Sequence, residues 1–378
     1  MAGIYYHIPF CRQKCYYCNF YVLASNKYKD VYTDALLREM ELRKDYLEGQ
    51  RVDTLYFGGG TPSSLPVNEI VTILKRTHEL FEVNPEAEIT LEANPEDLTP
   101  EYLQELKQYT PVNRFSIGIQ SFFDDDLEYL HRNHDGAKAR KVLENAKKAG
   151  FNNLNMDLIY GIPTLTEEKW KQNLEIFFSY ELPHLSSYAL TVEPKTTLEV
   201  LIDQKKRQNT DDSQQANHFE ILLEQTGAHG YMHYEISNFA KPGHYSKHNS
   251  IYWMGGHYLG LGPSAHSFNG ISRQWNVQNM KLYTESDTVE KIVMEKEILT
   301  PEQRYNEYVM TSLRTNWGCD LEHIRNGLGE KFVNYFLKQV QKPIQKELIV
   351  QKGNTFLITH KGKFFSDGIA SDLFMLVS

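Results

Sequence analysis

The sequence has no long hydrophobic run, and no stretch approaches the ~20 apolar residues that a membrane-spanning helix needs. Its N-terminus, MAGIYYHIPF, lacks the basic segment and the extended apolar core of a secretory signal peptide. Cysteine is scarce as well, with four residues in 378, as is usual for proteins of the reducing cytosol. These absences lead us to expect a soluble, cytoplasmic protein.

An excess of positive charge is also missing. The 40 lysines and arginines are outnumbered by 49 aspartates and glutamates, which gives a net charge of −9 and argues against a broad nucleic-acid-binding surface. Hydrophobic residues make up 41% of the chain and charged residues 24%, which is ordinary for a globular protein. The length suits one large α/β domain with a smaller second domain. From the net negative charge we expect no nucleic-acid partner.

Three of the four cysteines, Cys11, Cys15 and Cys18, lie close together in a C-x3-C-x2-C run. Three thiolates on a short loop can bind three irons of a [4Fe–4S] cluster and leave the fourth iron open. A disulfide framework does not fit, because three is odd and the only other cysteine is Cys319, which we expect to be a buried core thiol. Zinc stays an alternative, with His7 as a further donor, although structural zinc sites usually have four ligands.

Short β-rich segments recur along the first half of the chain, each followed by a helical pattern. Such alternation is typical of a parallel sheet with right-handed crossovers, and six units suit a partial (β/α)6 barrel. In such barrels the chemistry lies at the carboxyl ends of the strands. The predicted strands are 3–8, 52–57, 88–92, 114–119, 153–158 and 184–190, and the predicted helices are 28–47, 66–81, 99–108, 136–149 and 166–179.

The sequence predicts three parts of the chain. Residues 1–192 are predicted to form the barrel, and residues 193–299 to complete it with polar helices, loops and short strands that contain many histidines. Residues 300–378 are predicted to form a separate small domain. Its helices precede a strand, a turn at Gly353 and a second strand, a pattern that indicates a winged-helix-like fold.

Polar or glycine residues close several predicted strands. Consecutive glycines after the second strand allow positive φ angles and close approach of a ligand to the backbone. Elsewhere a charged or amide side chain ends or follows an apolar strand, where burial without a partner is costly. Any one of these residues could make a structural hydrogen bond, but together they favour a shared ligand site. They are Gly59, Gly60, Thr61, Glu92, Gln120, Arg132 and Asp157.

These segments resemble the radical S-adenosylmethionine (SAM) superfamily, and more closely its oxygen-independent coproporphyrinogen III oxidase family. The likeness extends from Tyr5 to about Leu190 and resumes in residues 234–268 and in the C-terminal module. It implies a radical SAM barrel, a [4Fe–4S] cluster on the three cysteines and SAM on the open iron. The residues that match SAM contacts of the family are Tyr5, Gly59, Gly60, Thr61, Glu92, Gln120, Arg132 and Asp157.

Three features match the heme chaperone branch of this family rather than the oxidase. The oxidase has a fourth cysteine where this sequence has Phe20, and a long N-terminal arm where this chain begins almost at its first strand. The segment from His248 to Trp253 reads HNSIYW and matches the branch's H-N-x-x-Y-W pattern. The resemblance implies that heme binds through His248 and is delivered to acceptor hemoproteins, some of them at a membrane.

Alternative interpretations stay open. The chain could instead be an enzyme that converts coproporphyrinogen III to protoporphyrinogen IX, although the missing fourth cysteine argues against this activity. It could also be a winged-helix regulator that uses the cluster as a redox sensor, for which a SAM pocket would be unnecessary. His248 could serve only to hold its own loop by hydrogen bonds, with Trp253 closing the barrel floor.

Overall fold

A computed structural model describes residues 1–376, and its strands form two sheets. The strands are β1 (Ala2–Ile8), β2 (Val52–Gly59), β3 (Val83–Ala93), β4 (Arg114–Gln120), β5 (Leu154–Tyr160), β6 (His184–Ala189), β7 (Met232–Glu235), β8 (Asn238–Ala240), β9 (His257–Leu261), β10 (His266–Phe268), β11 (Ser272–Asn276), β12 (Val293–Ile298), β13 (Cys319–Asp320), β14 (Ile349–Lys352) and β15 (Thr355–Ile358). The larger sheet has twelve strands in the order β12-β11-β10-β9-β1-β2-β3-β4-β5-β6-β8-β7.

Helices connect the strands of both sheets. They are α1 (Lys29–Leu42), α2 (Val67–Leu80), α3 (Pro100–Tyr109), α4 (Asp124–Leu130), α5 (Gly136–Lys148), α6 (Glu167–Ser179), α7 (Thr197–Asp203), α8 (Asp212–Ala228), α9 (Lys247–Trp253), α10 (Met280–Glu285), α11 (Val289–Ile292), α12 (Pro301–Leu313), α13 (Leu321–Leu328), α14 (Glu330–Gln339), α15 (Gln341–Gln345) and α16 (Ser366–Asp372). Among residues 1–376, none of these helices combines the length and the apolar character needed to cross a membrane.

Strands β1 to β6 are parallel and adjacent, as the alternating sequence pattern predicts. All seven residues of β4 are buried, because helices cover one face of the sheet and the barrel interior covers the other. The register places Glu92 of β3 opposite Ser116 of β4, and Gly118 of β4 opposite Asp157 of β5. The predicted α/β barrel class is therefore confirmed, and the polar residues of neighbouring strands lie at one level.

The larger sheet extends beyond both ends of the six-stranded core. Strand β9 pairs with β1 in parallel, and β10, β11 and β12 continue from it as an antiparallel meander. At the other end β8 and β7 add to β6 in antiparallel orientation. The sheet thus joins the first six strands to residues far along the chain, and it places β9 to β11 beside the cysteine-containing loop that follows β1.

The sequence-based prediction was wrong for the loop assigned to the HNSIYW segment, which forms helix α9. Ser246 caps this helix by accepting a hydrogen bond from the Asn249 amide at 3.3 Å. The amides of Lys247 and His248 donate to the buried carboxylate of Glu88, each at 3.1 Å. Glu88 of β3 and Lys247 of α9 are 159 positions apart in the sequence. A contact over this distance leaves no local sequence pattern, and the helix was therefore missed.

Two further differences concern helix bounds. Helix α1 ends at Leu42 rather than at the predicted residue 47. Beyond it Arg43 is buried, and its guanidinium donates to Glu39 at 3.1 Å and to the Gly260 carbonyl at 3.0 Å, so the chain turns inward there. Helix α4, which the sequence did not predict, is a short segment that ends at Leu130 and is followed by His131, which has a left-handed φ of 59°.

The C-terminal residues form a small domain with its own sheet, in the order β13-β15-β14. Helices α12, α13 and α14 pack on this sheet around buried residues such as Tyr305, Phe336 and Phe356. Cys319 belongs to the same core and is fully buried, as the sequence predicts. A small C-terminal domain with helices before a β-hairpin is therefore confirmed.

Candidate cluster and cofactor site

The cysteine-containing loop leaves the end of β1 and returns beside it. The Cys11 amide donates to the Leu23 carbonyl at 3.0 Å, and the Leu23 amide donates to the Pro9 carbonyl at 2.6 Å. These two bonds close the loop at its base. Cys11, Cys15 and Cys18 are reduced and half-buried, and all three line one cavity of about 470 Å³.

Hydrogen-bond donors lie against two of the three sulfur atoms. The Thr61 hydroxyl donates to Cys11 Sγ at 3.4 Å, and Arg132 Nη1 donates to Cys15 Sγ at 3.2 Å. Burial raises the pKa of Cys11 to about 11, so this thiol needs a bound metal to be held as a thiolate at neutral pH. Donors aimed at buried sulfurs fit thiolate ligands of an iron–sulfur cluster, whose properties depend on such bonds.

The cysteines do not converge on a single point. Among residues 1–376, no group of three or more His, Cys, Asp or Glu side chains has the arrangement needed for one metal ion. A [4Fe–4S] cluster makes a different demand, because each thiolate binds a different iron. The donor set of three cysteines on one cavity wall therefore fits a cluster better than a closed zinc site, which needs four convergent ligands.

Asn94 links the two hydrogen-bonded cysteines through one network. Its Nδ2 donates to the Thr61 hydroxyl at 3.0 Å, and its Oδ1 accepts from Arg132 Nη2 at 2.7 Å. Since Thr61 and Arg132 each donate to a cysteine, Asn94 fixes both donors at once. The sequence analysis missed this residue, although its position directly after β3 was a usable signal.

The glycine segment after β2 packs closely on the end of β1. Gly59 has a φ of 105°, and a Cβ there would lie 2.6 Å from the His7 ring. A Cβ on Gly60 would lie 2.8 Å from the Ile8 carbonyl oxygen, which accepts the Gly60 amide at 2.8 Å. Side chains are therefore excluded at both positions, and the backbone itself forms the cavity wall.

Glu92 lies at the end of β3 on the same wall. Its carboxylate accepts hydrogen bonds from the Tyr56 hydroxyl at 2.7 Å and from the Gly59 amide at 3.2 Å. Burial, together with the nearby carboxylate of Asp157, raises the pKa of Glu92 to about 7, although the hydrogen bonds from Tyr56 and Gly59 oppose the shift. This side chain is therefore close to half-ionised at neutral pH, and a cationic ligand would favour its charged form.

Asp157 is held by a polar neighbour on its own strand β5 and by another on the adjacent strand β4. It accepts from Asn155 Nδ2 at 2.6 Å and from the Ser116 hydroxyl at 3.2 Å. Burial raises the pKa of Asp157 to about 6, and these bonds oppose the shift. Gln120, at the end of β4, has a φ of 68°, a strained backbone for a residue other than glycine, and its side chain lines the same cavity.

The cavity thus brings together most of the residues predicted from the sequence. It also contains residues that the sequence analysis did not single out, among them Asn94, Ser116 and Tyr188. Its size lies within the range of ordinary small-molecule sites. The predicted residues on its lining are Cys11, Cys15, Cys18, Gly59, Gly60, Thr61, Glu92, Gln120, Arg132 and Asp157.

Two predicted residues, Tyr5 and His248, are not on this lining. Tyr5 lines a second cavity of about 790 Å³, and its hydroxyl donates to His7 Nδ1 at 3.1 Å. His248 is 1% exposed, and both of its ring nitrogens are hydrogen-bonded, to Thr54 Oγ1 at 2.7 Å and to the Tyr252 hydroxyl at 2.8 Å. Burial lowers the pKa of His248 to about 3, so its ring is neutral.

Comparison with known proteins gives the context of this site. Residues 5–176 match the model of the radical SAM superfamily, and residues 299–365 match the HemN C-terminal domain. A protein named heme chaperone HemW from Lactococcus lactis is 33% identical over 95% of this chain and 93% of its own length. The chain belongs to the HemW family.

Further relatives agree with this placement. HemW proteins from Bacillus subtilis and Escherichia coli are 33% and 36% identical, over 98% and 70% of this chain and 98% and 69% of their own lengths. The solved structure of coproporphyrinogen III oxidase (HemN) from Escherichia coli, described as a radical SAM enzyme, has a TM-score of 0.85 and 25% identity. It covers 99% of this chain and 90% of its own.

The resemblance inferred from the sequence is therefore confirmed at both levels, the superfamily and the HemW family. Membership in the radical SAM superfamily implies a [4Fe–4S] cluster and SAM as cofactors. In this HemW-family chain, one cavity provides three cysteines for the cluster, and it provides carboxylates and accessible backbone for SAM.

Proposed function

We propose that this protein is a heme chaperone that binds heme and delivers it to acceptor hemoproteins. The observation that carries the proposal is the similarity to HemW proteins, which extends over nearly the full length of both chains. Phe20 supports it, since the oxidase family has a cysteine at this position. We further propose that delivery takes place in the cytoplasm or at the cytoplasmic face of a membrane.

The proposed cluster site consists of Cys11, Cys15 and Cys18, with the Thr61 and Arg132 donors beside two of their sulfurs. A bound cluster would supply an open iron as the attachment point for SAM. Arg132 carries a positive charge next to Cys15, and it compensates the negative charge that thiolate ligands bring into a partly buried site.

The proposed SAM site is the part of the same cavity that is lined by the strand ends and the glycine segment after β2. SAM carries a sulfonium and an ammonium group, and the carboxylates of Glu92 and Asp157 provide matching negative charge in a half-buried setting. The remaining proposed contacts provide close backbone approach or polar groups. They are Tyr5, Gly59, Gly60, Thr61, Gln120 and Arg132, of which Tyr5 lines the adjacent cavity.

His248 can bind the heme iron, as the sequence suggests, only if one of its present hydrogen bonds is broken. Both ring nitrogens are occupied, so the bond to Tyr252 or the bond to Thr54 must open before an iron can bind. His248 also stacks on Tyr56 with ring centroids 4.9 Å apart. Its observed contacts support α9 against β2, whatever else the residue does.

The experiment that tests the chaperone proposal is heme transfer. Cluster-reconstituted, heme-loaded protein is mixed with a heme-free acceptor hemoprotein in the presence of a scavenger of free heme. The proposal predicts that the acceptor gains its heme spectrum faster from the loaded protein than from free heme. Equal rates would contradict a chaperone role.

A second candidate is the oxidase activity of the structurally similar HemN. The TM-score of 0.85 over 99% of the chain favours it as an alternative. Anaerobic incubation with coproporphyrinogen III, SAM and a reductant separates the two functions. Formation of protoporphyrinogen IX with repeated turnover would establish the enzyme, and its absence together with heme transfer would support the chaperone.

A further inference from the structure

A second cavity lies between the large sheet and the C-terminal domain. Its volume is about 790 Å³, and its walls come from β1, the cysteine loop, the segment 252–278, α12 and α13. Asn19 and Phe20 of the cysteine loop line both this cavity and the cluster cavity. It is therefore an interdomain cavity that adjoins the cluster site.

Aromatic rings dominate the lining of the interdomain cavity. Phenylalanine or tyrosine side chains come from four different parts of the chain, and flat apolar ligands pack well on such surfaces. They are Tyr5, Phe20, Tyr21, Tyr252, Tyr258, Phe268 and Tyr308.

The charged residues of this lining have an excess of positive charge. They are Arg273, Arg304 and Glu307. Arg273 Nη2 pairs with Glu307 at 2.8 Å, but its Nε is buried and has no hydrogen-bond partner among residues 1–376. Glu307 is the one acidic residue of this lining. Burial raises its pKa, so its carboxyl group is less readily ionised. Two guanidinium groups beside one carboxylate suit a ligand with carboxylates of its own.

Arg304 strengthens this conclusion. It lies on α12 and faces the cavity, and its guanidinium makes neither an ion pair nor a hydrogen bond within the part of the chain that the structure describes. A half-buried arginine without a carboxylate partner is an unused donor set of five N–H groups.

Two histidines also line the interdomain cavity, His266 on β10 and His323 on α13. The His266 ring stacks on Trp275 with centroids 5.8 Å apart, and no hydrogen bond of its ring occurs within residues 1–376. The His266 side chain is exposed. Partial desolvation lowers its pKa, and the charge of Arg273 acts in the same direction, so the ring is neutral and able to bind a metal. The His323 ring lies flat on Tyr308, with centroids 4.0 Å apart.

We propose that the interdomain cavity is the heme site, with His266 as axial ligand of the iron and with Arg273 and Arg304 binding the propionates. This inference rests on the proposed heme chaperone function. It differs from heme ligation by His248, which lies outside the cavity and uses both ring nitrogens. His266 needs no such bond to open, and its neighbour Arg273 is on the strand that pairs with β10.

The test is an anaerobic titration of the full-length, cluster-reconstituted protein with heme and, separately, with metal-free protoporphyrin IX. Wild type is compared with His266→Ala, His248→Ala, His323→Ala and Arg304→Gln, followed by the Soret band and by fluorescence quenching. We expect His266→Ala to shift the Soret band and weaken heme binding about tenfold or more, the scale of one strong lost contact. Its affinity for protoporphyrin IX should change less than about twofold, because that probe has no iron to ligate.

Arg304→Gln should weaken heme and protoporphyrin IX alike, by about tenfold, because both carry the propionates. His360→Ala and Arg51→Gln are the matched controls, since both residues are exposed and lie outside either cavity, and neither should change binding. Added imidazole should restore the wild-type band of His266→Ala, which a merely structural role of His266 would not permit.

The possible outcomes separate the two proposals. Wild-type protein that binds no heme would contradict both the chaperone function and the site. Saturable wild-type binding that persists unchanged in His266→Ala, or is lost only in His248→Ala or His323→Ala, would overturn the site assignment and leave the chaperone function standing. Far-ultraviolet circular dichroism of each variant verifies that a loss of binding is not a loss of fold.

Discussion

At the scale of single residues, the cluster site depends on a chain of hydrogen bonds that runs from Cys11 through Thr61, Asn94 and Arg132 to Cys15. The sequence predicted four of these five residues. Cys11, Cys15 and Thr61 lie in motifs, and Arg132, which follows a predicted strand at a distance, matches a SAM contact of the family. Asn94 was missed, and its role appears only when β3 and the loop after α4 meet in space. Hydrogen bonds between residues so far apart in the sequence follow no regular spacing, so a sequence pattern does not reveal them.

The histidine and arginines of the interdomain cavity were missed for the same reason. His266 and Arg273 lie on the paired strands β10 and β11, and only the packing of the C-terminal domain brings Arg304 of α12 to the same cavity. The sequence analysis noted the concentration of histidines in this region, but it selected His248 from a pattern rather than from exposure to a cavity.

We predict that Cys15→Ala abolishes the cluster, because two thiolates cannot replace three. Anaerobic reconstitution of the wild type should give about four irons and four sulfides per chain, and the variant should fall well below this ratio. Cys319→Ala is the control, since Cys319 is buried in the other domain. Cys15→Ala protein that retained the full iron content would contradict the assignment.

We predict that SAM affinity rises with pH because of Glu92. The pKa of this carboxyl is raised to about 7, so its ionised fraction grows as the pH passes through neutrality, and the ionised form attracts the cationic groups of SAM. Between about pH 6 and pH 8 the affinity should increase by up to about tenfold. Titration calorimetry at several pH values measures the effect.

Asp157 accounts for the increase in SAM affinity at the lower pH values, since its pKa is raised to about 6. In Glu92→Gln the rise above neutrality should therefore disappear while a smaller rise below it persists. A wild-type affinity that fell with increasing pH would show that the carboxylates do not face the positive groups of SAM.

At the scale of secondary-structure elements, the alternation of apolar strands and amphipathic helices was enough to predict β1 to β6 and five of the six α-helices between them, α4 being the exception. Helix α9 was not predictable in this way. Its seven residues are too few to show a helical period, and Glu88 satisfies its first amides from another strand. Tertiary contacts decide the conformation of such short segments.

We predict that Glu88→Gln destabilises the protein through α9. The Glu88 side chain is buried and accepts the amides of Lys247 and His248, and an uncharged amide can accept from only one of them. The expected loss in the free energy of unfolding is about 1–3 kcal/mol, measured by urea denaturation.

Glu86→Gln provides the matched control for this change. Glu86 lies two positions earlier on β3 and is exposed, so its substitution should leave the free energy of unfolding within about 0.5 kcal/mol of the wild type. Equal stability of both variants would contradict the anchoring role of Glu88.

At the scale of the whole molecule, the C-terminal domain docks on β7 through backbone and charged contacts. The Asn316 amide donates to the Tyr234 carbonyl at 2.9 Å, and the Ile236 amide donates to the Arg314 carbonyl at 3.1 Å. Arg314 Nη2 also pairs with Glu235 at 3.0 Å, whose side chain is 1% exposed. These contacts hold the C-terminal domain against the end of the larger sheet.

We predict that Arg314→Gln loosens this docking, because it leaves the buried Glu235 carboxylate without its cation. The expected loss of stability is about 3 kcal/mol, and calorimetry should show the C-terminal domain unfolding earlier than the barrel. Arg51→Gln is the control, since Arg51 forms only an exposed pair with Asp53 at 3.8 Å. A single transition at the wild-type temperature would contradict the docking role of Arg314.

The central claim, that this radical SAM chain carries heme, is tested most directly by one measurement. Cluster-reconstituted protein is titrated with heme under anaerobic conditions, and the Soret band is followed to saturation. The account predicts a sharp end point at one heme per chain, with the iron–sulfur absorption retained. A linear increase without an end point, indistinguishable from heme added to buffer, would contradict it.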